Sequence, residues 1–130
     1  DLYFQPLICY EAIFPSILRA TANRPDLIIQ ITNDAWFGRF SGPYQHLAIL
    51  KMRAIETGIP VARSANTGIS AVISANGKII DSLPLETQGS LELAIPQALK
   101  PTFYFTWGDS IFFMMILSLI TMRLLVKRYY

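Results

Sequence analysis

Cysteine and histidine are nearly absent from this chain of 130 residues, which contains one of each. A single cysteine cannot form a disulfide within the chain and excludes a metal site built from several thiolates. With only one histidine as well, too few of the usual ligands remain to hold zinc. The sequence therefore predicts neither a metal site nor another cofactor.

Charge is also scarce, since charged residues make up 15% of the chain and hydrophobic residues 52%. An ordinary soluble domain has about 25% charged residues. Residues 1–110 carry eight basic and nine acidic residues, a net charge of −1, and the other three basic residues lie in the C-terminal tail. The body thus lacks the basic surface that binds nucleic acid, and we expect no nucleic-acid partner.

No signal peptide is visible at the N-terminus. The chain opens with DLYFQPLI, an apolar stretch without a helix cap or a lead-in. This start predicts a piece of a longer protein.

One long hydrophobic run, IFFMMILSLITMRLLV, covers Ile111–Val126. As a helix it would measure about 24 Å, and a few more residues at each end would span the bilayer core of about 30 Å. A buried core helix is the alternative, but no polar stripe at helical spacing supports it. We therefore predict a transmembrane helix, with Lys127 and Arg128 placing the C-terminus in the cytoplasm.

The remaining residues alternate between strand and helix signals. Apolar, β-branched runs predict buried strands, and Asn76-Gly77 is a strong hairpin signal. Pro43–Thr57 reads as a helix with Leu47, Leu50 and Ala54 on one face. The predicted strands are Leu7–Cys9, Leu27–Thr32, Val61–Ser64, Ile69–Ser74, Lys78–Leu83 and Ser90–Ile95, with a short helix from Pro15. This order predicts an α/β fold whose parallel part comes first and whose hairpins follow.

Cys9 ends the first predicted strand, just before a turn into a helix. Parallel α/β sheets gather their functional sites at this end of their strands, where backbone N–H groups can face a developing oxyanion. A lone cysteine is also among the residues most often buried as an inert spacer. Position alone leaves both interpretations open.

Several ordered motifs resemble one family. Cys9-Tyr10-Glu11 followed by Phe14-Pro15 is similar to the nucleophile segment of the nitrilase, or carbon–nitrogen hydrolase, superfamily. The later motifs NDAWFG from Asn33, GPYQH from Gly42, MRAIE from Met52 and RSANTG from Arg63 resemble its apolipoprotein N-acyltransferase branch. The resemblance covers about the first 80 residues, and a hairpin and a membrane helix follow in the family's order.

The resemblance implies the C-terminal part of a nitrilase-like αββα sandwich, followed by one transmembrane helix. It implies a bacterial inner-membrane enzyme whose catalytic domain lies in the periplasm. An acyl chain from a phospholipid would pass through a cysteine thioester to the N-terminal diacylglyceryl-cysteine of an apolipoprotein. The implied organisation is a catalytic part over residues 1–98, a linker over 99–110, the membrane helix over 111–128 and a cytoplasmic tail over 129–130.

Carried over by position, Cys9 matches the nucleophile, and Tyr10 and Glu11 match two neighbouring residues that the family requires. The loop residues Asn33, Asp34, Trp36 and Phe37 are expected to bind substrate, with the rings against the acyl chain. The family's catalytic Glu and Lys lie upstream of the cysteine, and the eight residues before Cys9 include neither. The resemblance therefore predicts that the fragment alone is inactive and that its partner is the missing N-terminal portion.

Two other interpretations stay open at this point. The chain is alternatively a fragment of a nitrilase-type amidohydrolase that uses water as the acceptor, or a non-catalytic remnant or half of a split protein.

His46, in the first turns of its helix, is expected to have a structural role. Arg63 is a candidate for a buried hydrogen bond.

Overall fold

A five-stranded mixed sheet forms the centre of the fold in the computed structural model, which describes residues 2–129. The strands lie side by side in chain order, with β1 and β3 each parallel to β2, and with β3–β4 and β4–β5 antiparallel. Their bounds are β1 Phe4–Ile8, β2 Leu27–Asn33, β3 Val61–Asn66, β4 Ser70–Ile73 and β5 Ile79–Leu83. The predicted α/β layout, parallel first and hairpins after, is confirmed.

Within residues 2–129, four α-helices and two 3-10 helices accompany these strands. The α-helices are α1 Pro15–Arg19, α2 Ser41–Thr57, α3 Phe103–Trp107 and α4 Ser110–Tyr129, and the 3-10 helices are Cys9–Ile13 and Asp34–Phe37. α2 begins two residues before the predicted start. It ends as predicted at Gly58, whose left-handed φ of 67° lets its N–H donate to the Ala54 carbonyl at 2.8 Å.

One face of the sheet carries the core. Neighbouring strands place residues in rows, and alternate rows face opposite sides. The rows Ile28–Val61–Ile73 and Leu7–Gln30–Arg63–Ala71 are buried. The buried side chains Leu47, Leu50 and Ala54 of α2 belong to the same core, as their spacing predicted.

The opposite face of the sheet is largely uncovered and apolar. One of its rows pairs Ile8 with Ile31, and both side chains are 54% exposed. Another row runs from Pro6 through Ile29 and Ala62 to Val72.

The predicted strand at Ser90–Ile95 is wrong. Leu93 and Ile95 are both exposed, and the segment has no strand assignment. The hydrophobic alternation there is imperfect. Its residues pair with neither edge strand of the sheet, so the segment gains no ladder of backbone hydrogen bonds.

The C-terminal helix α4 is long and apolar enough to cross a membrane. Its 20 residues measure about 30 Å. The window Ser110–Lys127 has a mean hydropathy of 1.9, and none of it is buried. Ser118 and Thr121 each donate a hydroxyl to a carbonyl three residues earlier, both at 2.8 Å. These two hydroxyls therefore have partners within the helix, as a lipid environment requires.

Two arginine side chains connect the segment between the sheet and α4 to the rest of the fold. Arg19 Nε donates to the Phe105 carbonyl at 3.0 Å. Arg24 Nη2 donates to the carbonyls of Thr57 and Gly58 at 2.9 and 3.1 Å, and its guanidinium lies 5.4 Å from the centre of the Phe105 ring. The predicted linker thus contains the short helix α3, which two arginines hold beside the C-terminal end of α2.

Candidate active site

Cys9 lies at the carboxyl end of β1 and is exposed. Its φ of 52° is left-handed, a conformation that few residues other than glycine adopt. The 3-10 helix Cys9–Ile13 begins at this residue, so its first backbone N–H groups lack helical partners. A thiol and free backbone donors thus occur together at the end of a parallel strand.

Two hydrogen bonds hold the turn at Cys9 from opposite sides. The backbone N–H of Ile8, just before the cysteine, donates to Glu11 Oε2 at 2.7 Å. The carbonyl of Cys9 accepts from Gln30 Nε2, also at 2.7 Å. Glu11, predicted to orient the site, therefore bonds the backbone of the turn at Cys9 directly.

A buried polar cluster lies beneath this turn and consists of Gln30, Asp34, His46 and Arg63. Arg63 Nη1 donates to Gln30 Oε1 at 2.6 Å, and Arg63 Nη2 donates to Asp34 Oδ2. His46 Nδ1 is 2.9 Å from Asp34 Oδ1. Arg63 Nε donates to the Ile69 carbonyl at 2.9 Å, so every nitrogen of the guanidinium has an acceptor.

The ion pair inside this cluster is fully desolvated, since the side chains of Arg63 and Asp34 are both 0% exposed. Burial lowers the pKa of Arg63, and the charge and hydrogen bond of Asp34 act in the opposite direction. A guanidinium stays protonated in proteins, so the cluster contains a charge that depends on Asp34 for compensation.

The loop after β2 presents aromatic rings beside the turn. The Phe37 ring centre is 5.9 Å from that of Tyr10 and 5.4 Å from that of His46. Trp36 is 86% exposed and Phe40 is 88% exposed. Two rings therefore project from the loop without packing on the body.

The predicted site residues take four different positions in the structure. Cys9, Tyr10 and Glu11 share one 3-10 turn, which the ring of Phe37 approaches. Asn33 caps its own loop, because its Oδ1 accepts from the Ala35 N–H and from Asn66 Nδ2, both at 3.2 Å. The Asp34 carboxylate points into the interior, and Trp36 points outward.

Gln30 was missed in the sequence. Its signal is a polar residue in the middle of LIIQIT, because a polar group in a buried strand needs a hydrogen-bond partner. Arg63 and His46 were expected to have structural roles, and both are buried. His46 lies on the same face of α2 as Leu50, four residues later.

Gly68 approaches the Asp34 carboxylate so closely that a larger residue would not fit. A Cβ added at Gly68 would lie 2.7 Å from Asp34 Cβ and 2.8 Å from Asp34 Cγ. We expect Gly68→Ala to lower the free energy of unfolding by about 1–3 kcal/mol, the usual cost of overpacking. Chemical denaturation measures the loss. Gly89→Ala is the control for space: neither Gly68 nor Gly89 has a left-handed φ, and the nearest atom to a Cβ at Gly89 is a methyl of the flexible Leu83 side chain at 3.2 Å. A Gly68→Ala protein as stable as its parent would contradict the prediction.

Comparison with known proteins assigns this fold and site to a family. The chain belongs to the carbon–nitrogen hydrolase family, whose model matches residues 3–102. Within that family its sequence is similar to curated apolipoprotein N-acyltransferases. The relative from Bradyrhizobium diazoefficiens is 54% identical over 104 residues, which are 80% of this chain and 19% of the relative. The one from Rhodopseudomonas palustris is 46% identical over 123 residues, 95% of this chain and 23% of the relative. The chain thus spans about a fifth of the length of these relatives.

Solved structures of the same family share the fold. A carbon–nitrogen hydrolase from Helicobacter pylori G27 superposes with a TM-score of 0.56 over 65% of this chain and 37% of its own, at 15% identity. A mutant amidase from Nesterenkonia sp. AN1 reaches a TM-score of 0.52 at 27% identity, over 66% of this chain and 36% of its own. That amidase has acrylamide added at its active-site cysteine.

Proposed function

We propose that this chain is part of a membrane-bound N-acyltransferase that acylates apolipoproteins through a thioester on Cys9. The observation that carries the proposal is the exposed cysteine in a left-handed turn at the end of β1. The names of the relatives support the reaction class. The Nesterenkonia amidase uses a cysteine in the same fold, and Cys9 is the only thiol in this chain.

In the first half-reaction the Cys9 sulfur attacks the ester carbonyl of a phospholipid. A C–S bond forms, the ester C–O bond breaks, and the lysophospholipid leaves as an alcohol that takes up the proton lost by the thiol. In the second, the amino group of a diacylglyceryl-cysteine attacks the thioester. A C–N bond forms, the C–S bond breaks, and the proton lost by the amine returns to the thiol. Both steps pass through an oxyanion, and we assign its stabilisation to the Tyr10 N–H.

Substrate binding is the proposed role of the loop Asn33–Phe37. Trp36 and Phe37 offer apolar rings close to the nucleophile turn, which suits an acyl chain. Asn33 and Asp34 would contribute to binding indirectly, because their hydrogen bonds fix the start of the loop.

The general base and the oxyanion lysine are proposed to come from the part of the relatives that this chain does not span. The uncovered apolar face, which includes Ile8 and Ile31, supports a further layer of structure at that position. The chain alone is then inactive. The exposed apolar helix α4 supports an inner-membrane location, and Lys127 supports a cytoplasmic C-terminus with the body in the periplasm.

A chimera tests the acceptor. The 104 matching residues of this chain replace their counterparts in the Bradyrhizobium relative, and the product is reconstituted in vesicles with labelled phospholipid and a diacylglyceryl-cysteine peptide. We expect label on the peptide's amino group, found by mass spectrometry, and hydroxylamine-sensitive label on the protein when the peptide is omitted. The same peptide with an acetylated amino group is the control and should stay unlabelled.

Release of free fatty acid without peptide labelling, together with turnover of small amides, would instead favour the amidohydrolase alternative. Acyl transfer by the isolated 130-residue chain would contradict its proposed inactivity.

A further inference from the structure

Cys9 is held in a backbone conformation that it does not adopt unaided. A residue other than glycine at a left-handed φ of 52° is strained, and such strain persists only where the surrounding structure maintains it. One restraint is the hydrogen bond from Ile8 to Glu11, at the surface. The other comes from Gln30, which is 0% exposed.

The orientation of the Gln30 amide follows from the chemistry of its neighbours. Arg63 has donors only, so the group that faces it at 2.6 Å must be the amide oxygen. The Cys9 carbonyl can only accept, so the group that faces it at 2.7 Å must be the amide nitrogen. Arg63 thereby determines which end of Gln30 reaches the nucleophile turn.

The rest of the buried polar cluster completes the restraint. His46 Nδ1 faces the Asp34 carboxylate at 2.9 Å, so this nitrogen carries the proton. The other ring nitrogen, Nε2, is then free to accept from the second hydrogen of the Gln30 amide, 3.4 Å away. Asp34 also bonds Arg63, so one carboxylate fixes the partners of the Gln30 amide oxygen and of its second hydrogen, which leaves the first hydrogen for the Cys9 carbonyl.

We propose that Gln30 is a positioning residue for the nucleophile. Oriented by Arg63 and His46, its amide holds the Cys9 carbonyl, and this keeps the turn in the conformation that presents the sulfur to a substrate. The inference rests on the proposed function for the role of Cys9 as nucleophile. The geometry of the thiol can nevertheless be measured without any acyl transfer.

The decisive variant is Gln30→Glu. A glutamate still accepts from Arg63, so the cluster keeps its contacts to the guanidinium, but it has no N–H to donate to the Cys9 carbonyl. Gln30→Met is the second variant: it has a similar volume and no charge, and it removes all three hydrogen bonds of the amide. Gln97→Glu makes the same chemical change at an exposed position and serves as the matched control.

The readout is the rate of Cys9 alkylation by iodoacetamide across pH, on the whole chain in detergent micelles, because Cys9 is its only thiol. Melting temperatures are recorded on the same samples. We expect the plateau rate at high pH, where the thiol is fully ionised, to fall at least about fivefold in both variants. Both variants should lower the melting temperature, because each leaves buried polar groups without partners, so the rates are compared well below every midpoint. Gln97→Glu should match the parent in both measurements.

Two results would overturn the proposal. A shifted midpoint with an unchanged plateau would mean that the new carboxylate acts only through its charge. A lower melting temperature with an unchanged plateau would mean that Gln30 only stabilises the fold. The chimera experiment tests the proposed function separately. If the chimera does not transfer acyl chains, the alkylation result for Gln30 is unaffected.

Discussion

Replacing Cys9 with alanine in the chimera is expected to lower peptide N-acylation at least about 10³-fold, because removal of a covalent nucleophile eliminates both half-reactions. The hydroxylamine-sensitive label on the protein should disappear at the same time. Cys9 is exposed and lies outside the core, so the fold should persist and the loss should be one of chemistry. Quantitative mass spectrometry of the peptide measures the rate.

A second replacement, Cys9→Ser, tests whether the lost activity comes from the missing thiol or from a changed shape of the site. A hydroxyl is a much weaker nucleophile than a thiolate at neutral pH, so the serine variant should be almost as slow as the alanine variant. Met52→Leu, on the exposed side of α2, controls for handling of the membrane protein and should keep the parent rate. Normal acylation by Cys9→Ala would end the proposed function.

Replacing Asp34 with asparagine is expected to lower the free energy of unfolding by about 3–5 kcal/mol, the typical result of removing one partner of a buried ion pair. Asparagine is similar in size, so the packing changes little. The Arg63 charge, however, is left in the interior without compensation. At about 4–8 °C per kcal/mol, the melting temperature should fall by more than about 12 °C.

The exposed ion pair between Arg39 and Glu86 supplies the matched control for Asp34→Asn. Its side chains are 77% and 45% exposed, and Arg39 Nε is 2.7 Å from Glu86 Oε1. Glu86→Gln makes the same change from acid to amide and should cost no more than about 1 kcal/mol, because water compensates the loss. The double variant Asp34→Asn with Arg63→Met should recover part of the stability, since no unpaired charge remains. Equal small losses in Asp34→Asn and Glu86→Gln would show that burial of the pair is energetically unimportant.

Local patterns predicted most of the elements well. Strand β2, the helix stop at Gly58 and the hairpin at Asn76-Gly77 depend on neighbouring residues alone, and each lies where it was predicted. The segment Ser90–Ile95 was predicted wrongly because its structure depends on residues elsewhere in the chain. A strand forms only if another strand edge is available to it, and a short stretch of sequence does not contain that information.

For the site, proximity in the sequence decided what could be predicted. Cys9, Tyr10 and Glu11 are consecutive, so their sharing of one turn follows from chain order. In the sequence, Gln30 is 21 positions from Cys9 and 33 positions from Arg63. Gln30 appeared in the sequence only as a polar residue in an apolar run, and Arg63 appeared as part of a motif and as a candidate for a buried hydrogen bond without a known partner.

By itself, the sequence determined the order of strands and helices, the apolar helix at the C-terminal end and the identity of the single thiol. These features depend on composition and on the spacing of residues a few positions apart. Helices and strands each have a fixed period, so such spacing predicts which of the two forms. Only the tertiary structure decided that Gln30, Asp34, His46 and Arg63 meet beneath Cys9. The parallel register of β1, β2 and β3 brings residues far apart in the chain to one level of the sheet, and the cost of burying their polar groups unpaired then makes them partners.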